Sequence, residues 1–209
     1  MKIRKYHDLK YLKSKFIQWL YNKKKPENPW LTPDSIFFLD NWLSDKDVGF
    51  EWGSGRSTIW FSERVLKLVS VEHDLEWYEK IKTEIKKLSG EDQLKIDYKY
   101  FDIRDDPGKT QYVNSINKIS GELFDFVLVD GRIRDLCSLN VVEKIKKGGI
   151  IILDNAERYL TNSLNLPESN TDFKINGPNP NWAEFEGIIK NKRKYWTSNG
   201  ITSTLIIFN

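Results

Sequence analysis

Short apolar runs alternate with longer amphipathic stretches along the middle of this chain. Val48–Trp52, Leu66–Val71, Leu94–Phe101, the segment FDFVLVD that runs into Asp130 and the segment IIILD that ends at Asp154 read as strands. Between them, apolar positions fall at helical spacing over Ser57–Val65, Leu75–Leu88, Gln111–Ile119 and Asp135–Lys147, the last stopped by Gly148-Gly149. A further helix from residue 33 to Leu43 precedes the first strand, with Thr32 as N-cap and Pro33 at the first helical position. Alternating strand and helix predicts an α/β fold, a doubly wound parallel sheet covered on both faces.

The two ends of the chain depart from this rhythm. Residues 161–181 form a polar stretch with three prolines, the kind of long loop that serves as a lid or stays disordered. A helix around Trp182–Lys190 follows. Two strands, Lys194–Thr197 and Thr204–Phe208, then flank the turn Ser198-Asn199-Gly200 as an antiparallel hairpin. At the other end, Ile3, Tyr6, Leu9, Leu12, Phe16, Trp19 and Leu20 recur at helical spacing, and residues 1–25 hold nine Lys or Arg against the single acid Asp8. This predicts a basic amphipathic helix over 1–25, ahead of a domain over 26–209. Its ordinary reading is a helix docked on the domain with a solvated lysine face; the alternatives are contact with an anionic membrane surface, a partner or RNA.

Candidate chemistry gathers where the predicted strands end. Ligands of an open α/β sheet bind beyond the carboxyl ends of its strands. Here those ends carry Glu51 with the loop Gly53-Ser54-Gly55-Arg56-Ser57, then Glu72, Asp102, Asp130 and Asp154-Asn155. Gly53 and Gly55 let a ligand approach the backbone, and the helix start at Ser57-Thr58 offers free N–H groups to a phosphate or a carboxylate. Glu72, at the end of the next strand, can accept both hydroxyls of a ribose. These features suit NAD and S-adenosylmethionine alike. The dinucleotide fingerprint wants a third glycine where this chain has Thr58, and Glu51 would aim a carboxylate at an amino group, which a pyrophosphate lacks. No Gly-Lys-Ser/Thr follows the glycines, which excludes P-loop chemistry.

Composition narrows the class. With 39% hydrophobic and 30% charged residues, the 209-residue chain reads as one ordinary globular domain. No apolar run reaches the ~20 residues of a membrane span, and the start MKIRKYHDLK has no apolar signal core. One cysteine, Cys137, forms no internal disulfide and no cysteine-based zinc site. The expected location is cytoplasmic. A net charge of +3 is too small to imply nucleic acid.

The stretches FEWGSGRST, SVEHDLEWYEKI, FDFVLVDGRIRDLC, GGIIILDNAERY and TSTLIIF, in this order, resemble a class I S-adenosylmethionine-dependent methyltransferase from about Pro29 onward. The resemblance implies a seven-stranded sheet of order 3-2-1-4-5-7-6 whose last strand is antiparallel. It also implies S-adenosyl-L-methionine as cofactor, its methionine end at Glu51, Gly53, Ser54, Gly55, Ser57 and Thr58. Glu72 would then hold the ribose, with Asp102 and Ile103 at the adenine. His73 either lines the adenine side or is a surface histidine. Ser57 stands where the family motif has a third glycine, a variation that O-methyltransferases often tolerate.

For the acceptor, the chain lacks the Asp/Asn-Pro-Pro-Tyr/Phe motif of amino-methylating enzymes, reading Asp130-Gly131-Arg132-Ile133 at that place. Asp130, Asp154 and Asn155 form a hard oxygen set of the kind that binds Mg²⁺, and metal-dependent O-methyltransferases resemble this chain there. Without metal, Asp130 or Asp154 is the candidate general base, and Asp130 also faces the cofactor side. Arg132, placed with these acids in the catalytic set, could bind an anionic acceptor or neutralise its neighbours, as could Arg134 and Arg158. The polar stretch 161–181 and Trp182 suit a sugar or glycan hydroxyl. The competing readings are an RNA methyltransferase with a basic arm, a fold member that binds a nucleoside or a partner without turnover, and an NAD-binding protein.

Overall fold

Seven strands pair in the order β3-β2-β1-β4-β5-β7-β6, as the resemblance implies. The computed structural model describes residues 9–118 and 123–209. The strands are β1 (Val48–Trp52), β2 (Lys67–Glu72), β3 (Ile96–Tyr100), β4 (Phe124–Val129), β5 (Ile145–Asp154), β6 (Lys194–Ser198) and β7 (Ser203–Phe208). All neighbours among β1–β5 are parallel, and β7 runs antiparallel to both β5 and β6. Nine α-helices are described: α1 (Leu9–Lys24), α2 (Pro33–Trp42), α3 (Arg56–Ser62), α4 (Leu75–Ile85), α5 (Gly90–Leu94), α6 (Asp106–Val113), α7 (Arg134–Val141), α8 (Thr171–Asn176) and α9 (Pro180–Ile188).

Two apolar clusters cover the two faces of this sheet. One joins Phe50, Trp52, Val69, Val127 and Val129 to Tyr112 of α6, Cys137 and Val141 of α7, and Phe185 of α9. The other joins Phe126, Leu128, Ile150, Ile152 and Ile206 to Ile36 and Leu39 of α2 and Trp60 and Phe61 of α3. Side chains such as Phe50, Trp52 and Leu128 are wholly buried, each contributing roughly 1.5–3 kcal/mol through removal of apolar surface from water.

Two predicted helix boundaries are corrected. The helix expected over Asp135–Lys147 ends at Val141, and Gly148-Gly149 lie inside β5. There the pairing with β4 jumps from Phe124↔Ile145 to Phe126↔Ile150, so Lys146–Gly149 bulge out; Gly148 adopts φ +83°, a conformation a side chain would strain. The stretch expected as the helix Gln111–Ile119 starts earlier. Asp105 accepts from the Gly108 N–H as the N-cap of α6, Pro107 sits in the first turn, and a 3₁₀ turn carries the chain on to Lys118. Residue 119 lies outside the described residues. The stretch expected as a polar loop over 161–181 contains α8 and buries Leu166 and Ser169.

Of the basic helix expected over 1–25, residues 1–8 lie outside the described residues and α1 supplies the rest. No residue of α1 is buried. Its contacts with the rest of the domain are mostly polar. Gln18 accepts a hydrogen bond from Asn199 at 2.9 Å, Ser14 lies against Gly200, and Tyr21 packs on the α2/α3-side cluster.

Candidate active site

The loops after β1 and β4 touch backbone to backbone. Gly53 has φ +92°, and a Cβ there would stand 2.7 Å from the Gly131 nitrogen. A Cβ on Gly131 would in turn meet the Tyr112 hydroxyl at 2.0 Å. Neither position admits a side chain without moving backbone. Gly55 differs: its φ of 172° suits any residue, and a Cβ would meet nothing within 4 Å. What Gly55 supplies is a bare backbone at the edge of a cavity of about 1010 Å³.

Beneath that loop, Glu51 is completely buried. Ser57 donates to it at 2.8 Å and Ser70 at 2.7 Å, and Thr58 donates a further hydrogen bond. Burial pushes the Glu51 carboxyl up to about 7 in spite of these three hydroxyls. Glu51 does not line the cavity. Its contacts hold the Ser57 and Thr58 side chains inward, under the loop.

Glu72 anchors the same loop from β2. The Ser54 N–H and hydroxyl both donate to Oε2 at 2.9 Å, and the His73 and Asp74 N–H groups donate to Oε1 at 2.7 and 2.9 Å. The His73 imidazole Nδ1 also lies 2.8 Å from Oε1. Burial alone would raise this carboxyl; the nearby imidazole and the backbone donors outweigh it, so Glu72 stays ionised below the usual carboxylate range. Trp77 donates its indole N–H to the Ser54 carbonyl at 2.7 Å, fixing the loop from α4. Glu72 and His73 line the cavity; Asp102 and Ile103 do not. The Asp102 carboxylate is taken up by Arg104 on the surface, and Ile103 packs against the core.

The three oxygen residues expected to hold a metal meet instead around the guanidinium of Arg134. Its Nη2 donates to Asp130 Oδ1 at 2.7 Å and to the Asp130 carbonyl at 2.6 Å; Nη1 donates to the Asp154 carbonyl and reaches Asn155 Oδ1 at 3.4 Å; Nε donates to the Gly131 carbonyl at 2.9 Å. Asp130 lines the cavity, whereas Asp154 is buried behind it and accepts from Thr204 at 3.0 Å. Asn155 donates to Thr202 and is held in the left-handed region at φ 54°. Burial raises the carboxyl of Asp130, with Arg134 opposing. Burial and then the charge of Asp130 raise that of Asp154 well above its ordinary value. Among the described residues, no group of three or more His, Cys, Asp or Glu side chains converges as a metal site.

Several cavity residues escape a strand-end reading because helices and turns deliver them. Ile133, a β-branched residue at φ 53°, forms the turn into α7 and faces the cavity; such a conformation is strained and persists only where the surroundings impose it. Trp30 leans on Trp77 at 6.0 Å between ring centroids, and Arg56 lies 5.5 Å from the Trp30 ring. On the opposite wall Tyr159 stacks on Trp182 at 5.0 Å. Asp135 accepts from Asn179 and Asn181 at 3.0 and 2.9 Å, tying the 161–181 segment to α7. Arg132 and Arg158 also reach the cavity, and no ion pair with a described carboxylate engages either of them.

No protein-family model matches the sequence, and no curated protein does. Solved structures do. An O-methyltransferase from Bacillus cereus, solved with S-adenosylhomocysteine, superposes with a TM-score of 0.60 at 17% identity, over 97% of this chain and 91% of that one. A methyltransferase-like protein from Silicibacter pomeroyi matches at TM-score 0.59 and 19% identity, over 87% and 88%. The O-methyltransferase TomG from Streptomyces achromogenes, involved in tomaymycin synthesis and solved with S-adenosylmethionine, matches at 0.55 and 13%, over 78% and 73%. The fold is that of the class I methyltransferases. In this methyltransferase fold the cavity lies at the ends of β1, β2 and β4, where the glycine loop, Glu72 and Asp130 come together.

Proposed function

We propose that the protein transfers a methyl group from S-adenosyl-L-methionine to a hydroxyl of a sugar, glycan or other polar small molecule, without a metal. The observation that carries this reading is that a single cavity has the glycine loop and Glu72 on one wall, Tyr159 and Trp182 on the other, and Asp130 between them. The ionised Glu72 supports recognition of the ribose hydroxyls, and the bare edge at Gly55 supports close approach of the methionine end. Stacked aromatic rings with the Asn179 amide nearby fit the face and hydroxyls of a sugar ring.

Chemically, an acceptor oxygen would attack the sulfonium methyl group in line. The new O–CH₃ bond forms as the S–CH₃ bond breaks, the electron pair stays on sulfur, and S-adenosylhomocysteine leaves. Asp130 is the better base of the two predicted acids because it faces the cavity, whereas Asp154 is buried behind it. Holding the acceptor against an already activated donor supplies much of the rate. Arg132 and Arg158 favour an acceptor that also carries an anionic group.

Mg²⁺ does not fit the donor set in this arrangement. The Arg134 guanidinium already spends its N–H groups on the Asp130 carboxylate, the Asp154 backbone carbonyl and the Asn155 amide oxygen. The Asp154 carboxylate is buried and accepts from Thr204. A dication beside the fixed guanidinium charge would be repelled. The test is a radiolabelled transfer assay from S-adenosylmethionine to a panel of sugars, sugar phosphates, catechols and RNA, with and without Mg²⁺. Label on a sugar or sugar phosphate supports the reading. Label on RNA alone, or none on any acceptor, overturns it.

A further inference from the structure

Helix α1 turns the wrong side to its own domain. Its contacts with the body run along Ser14, Gln18 and Tyr21, a mostly polar stripe. Leu9, Leu12, Phe16, Trp19 and Leu20 recur at helical spacing on the opposite face. Leu9 is 82% exposed, Leu12 54%, Phe16 59% and Trp19 55%. Phe16 and Trp19 stack on each other at 6.0 Å. Lys13 and Lys24 border this stripe on one side and Lys15 on the other, while Lys23 closes its C-terminal end and lies 5.3 Å from the Trp19 ring. Over Leu9–Lys24 there are five lysines and no acid.

We propose that α1 lies in the surface plane of an anionic lipid bilayer, with its apolar stripe in the headgroup region and its lysines over the phosphates. An apolar stripe between two lysine rows is the pattern of an interfacial helix, and aromatic side chains settle well at that depth. A second copy of the chain is the poorer occupant, because a symmetric contact through this face would set lysine rows against lysine rows. RNA is poorer too, since the centre of the exposed face is aliphatic and aromatic rather than cationic. Four residues, Lys25–Asn28, join α1 to Pro29, Trp30 and Leu31, which line the cavity. Docking would therefore tether the cavity close to the lipid surface. The inference does not depend on the methyltransferase reading.

The experiment is co-flotation of the full chain with vesicles of phosphatidylcholine alone and of phosphatidylcholine mixed with phosphatidylglycerol. The chain should float with the mixed vesicles at least about tenfold more tightly than with the neutral ones, and added salt should release it. The variant F16E/W19E should lose the same binding. Both side chains are more than half exposed, so its melting temperature should match the parent. K13E/K15E/K24E, which leaves the stripe apolar, should lose preference for the anionic vesicles. Equal binding to both vesicle types, no binding to either, or an unaffected F16E/W19E would overturn the proposal. So would a dimer in sedimentation equilibrium that F16E/W19E dissolves while lipid binding is absent.

Discussion

Arg134 donates to Asp130 at 2.7 Å from the first turn of α7, four residues along the chain, and that pairing sets the chemistry of the cavity floor. The guanidinium is nearly enclosed while the carboxylate is partly open, so removing the cation leaves an under-compensated acid facing the site. Arg134→Met should cost about 3 kcal/mol, the lower end for a broken buried pair because Asp130 is partly solvated. For a domain of this size that lowers the melting temperature by roughly 6–12 °C. Arg134→Lys keeps the charge but not the fork of donors, and should recover only part of the loss in a thermal melt.

The same pairing predicts indifference to divalent metal. Chelation with EDTA, or addition of millimolar Mg²⁺, should leave both S-adenosylhomocysteine affinity and the transfer rate unchanged. A transfer rate that collapses on chelation and returns with Mg²⁺ would show that the Arg134 arrangement gives way to a metal.

Glu51 makes a pH prediction. Its carboxyl is raised from 4.5 to about 7 in the folded chain. The folded state therefore binds more protons than the unfolded state between these values, and stability falls as pH rises. The contribution is complete below 4.5, is lost as pH rises through about 7, and amounts to about 3 kcal/mol. Glu51→Gln cannot ionise. Denaturant unfolding should show it flatter than the parent between pH 5 and 7, and more stable than the parent at pH 8.

Glu72 should matter for the cofactor more than for the fold. Glu72→Gln removes the charge that draws in the Ser54, His73 and Asp74 donors. S-adenosylhomocysteine affinity should fall about 10–100-fold, the range expected for losing one or two hydrogen bonds to a charged acceptor. A Tyr159→Leu change on the far wall should instead raise the acceptor KM and leave that affinity intact.

Strands β1, β2, β4 and β5 were legible because each carries a short apolar run with an acid at or beside its end, and the final hairpin because Asn199-Gly200 marks its turn. Less legible were features set by tertiary contact. Lys146–Gly149 look like the end of a helix and become a bulge of β5 only because β4 lies alongside. α5, a single turn capped by Ser89, is too short to show a period. Among the site residues, Glu51, Glu72 and Asp130 were placed by strand position, yet Glu51 proved to lie under the loop rather than in the cavity. Arg134 stands at a helical spacing from Asp130 that the sequence displays, but its reach to Asp154 and Asn155 depends on β4 and β5 being neighbours. The stripe of α1 was visible as a period; which side faces the domain was not, because polar contacts at Ser14 and Gln18 leave no hydrophobic signature.

The most direct test of the cofactor assignment is a calorimetric titration of S-adenosylhomocysteine into the protein, with NAD⁺ as control. Saturable one-to-one binding of S-adenosylhomocysteine, and none of NAD⁺, is the result predicted from the loop at Gly53–Gly55 and the ionised Glu72. Binding of NAD⁺ in its place, or of neither compound, would contradict it.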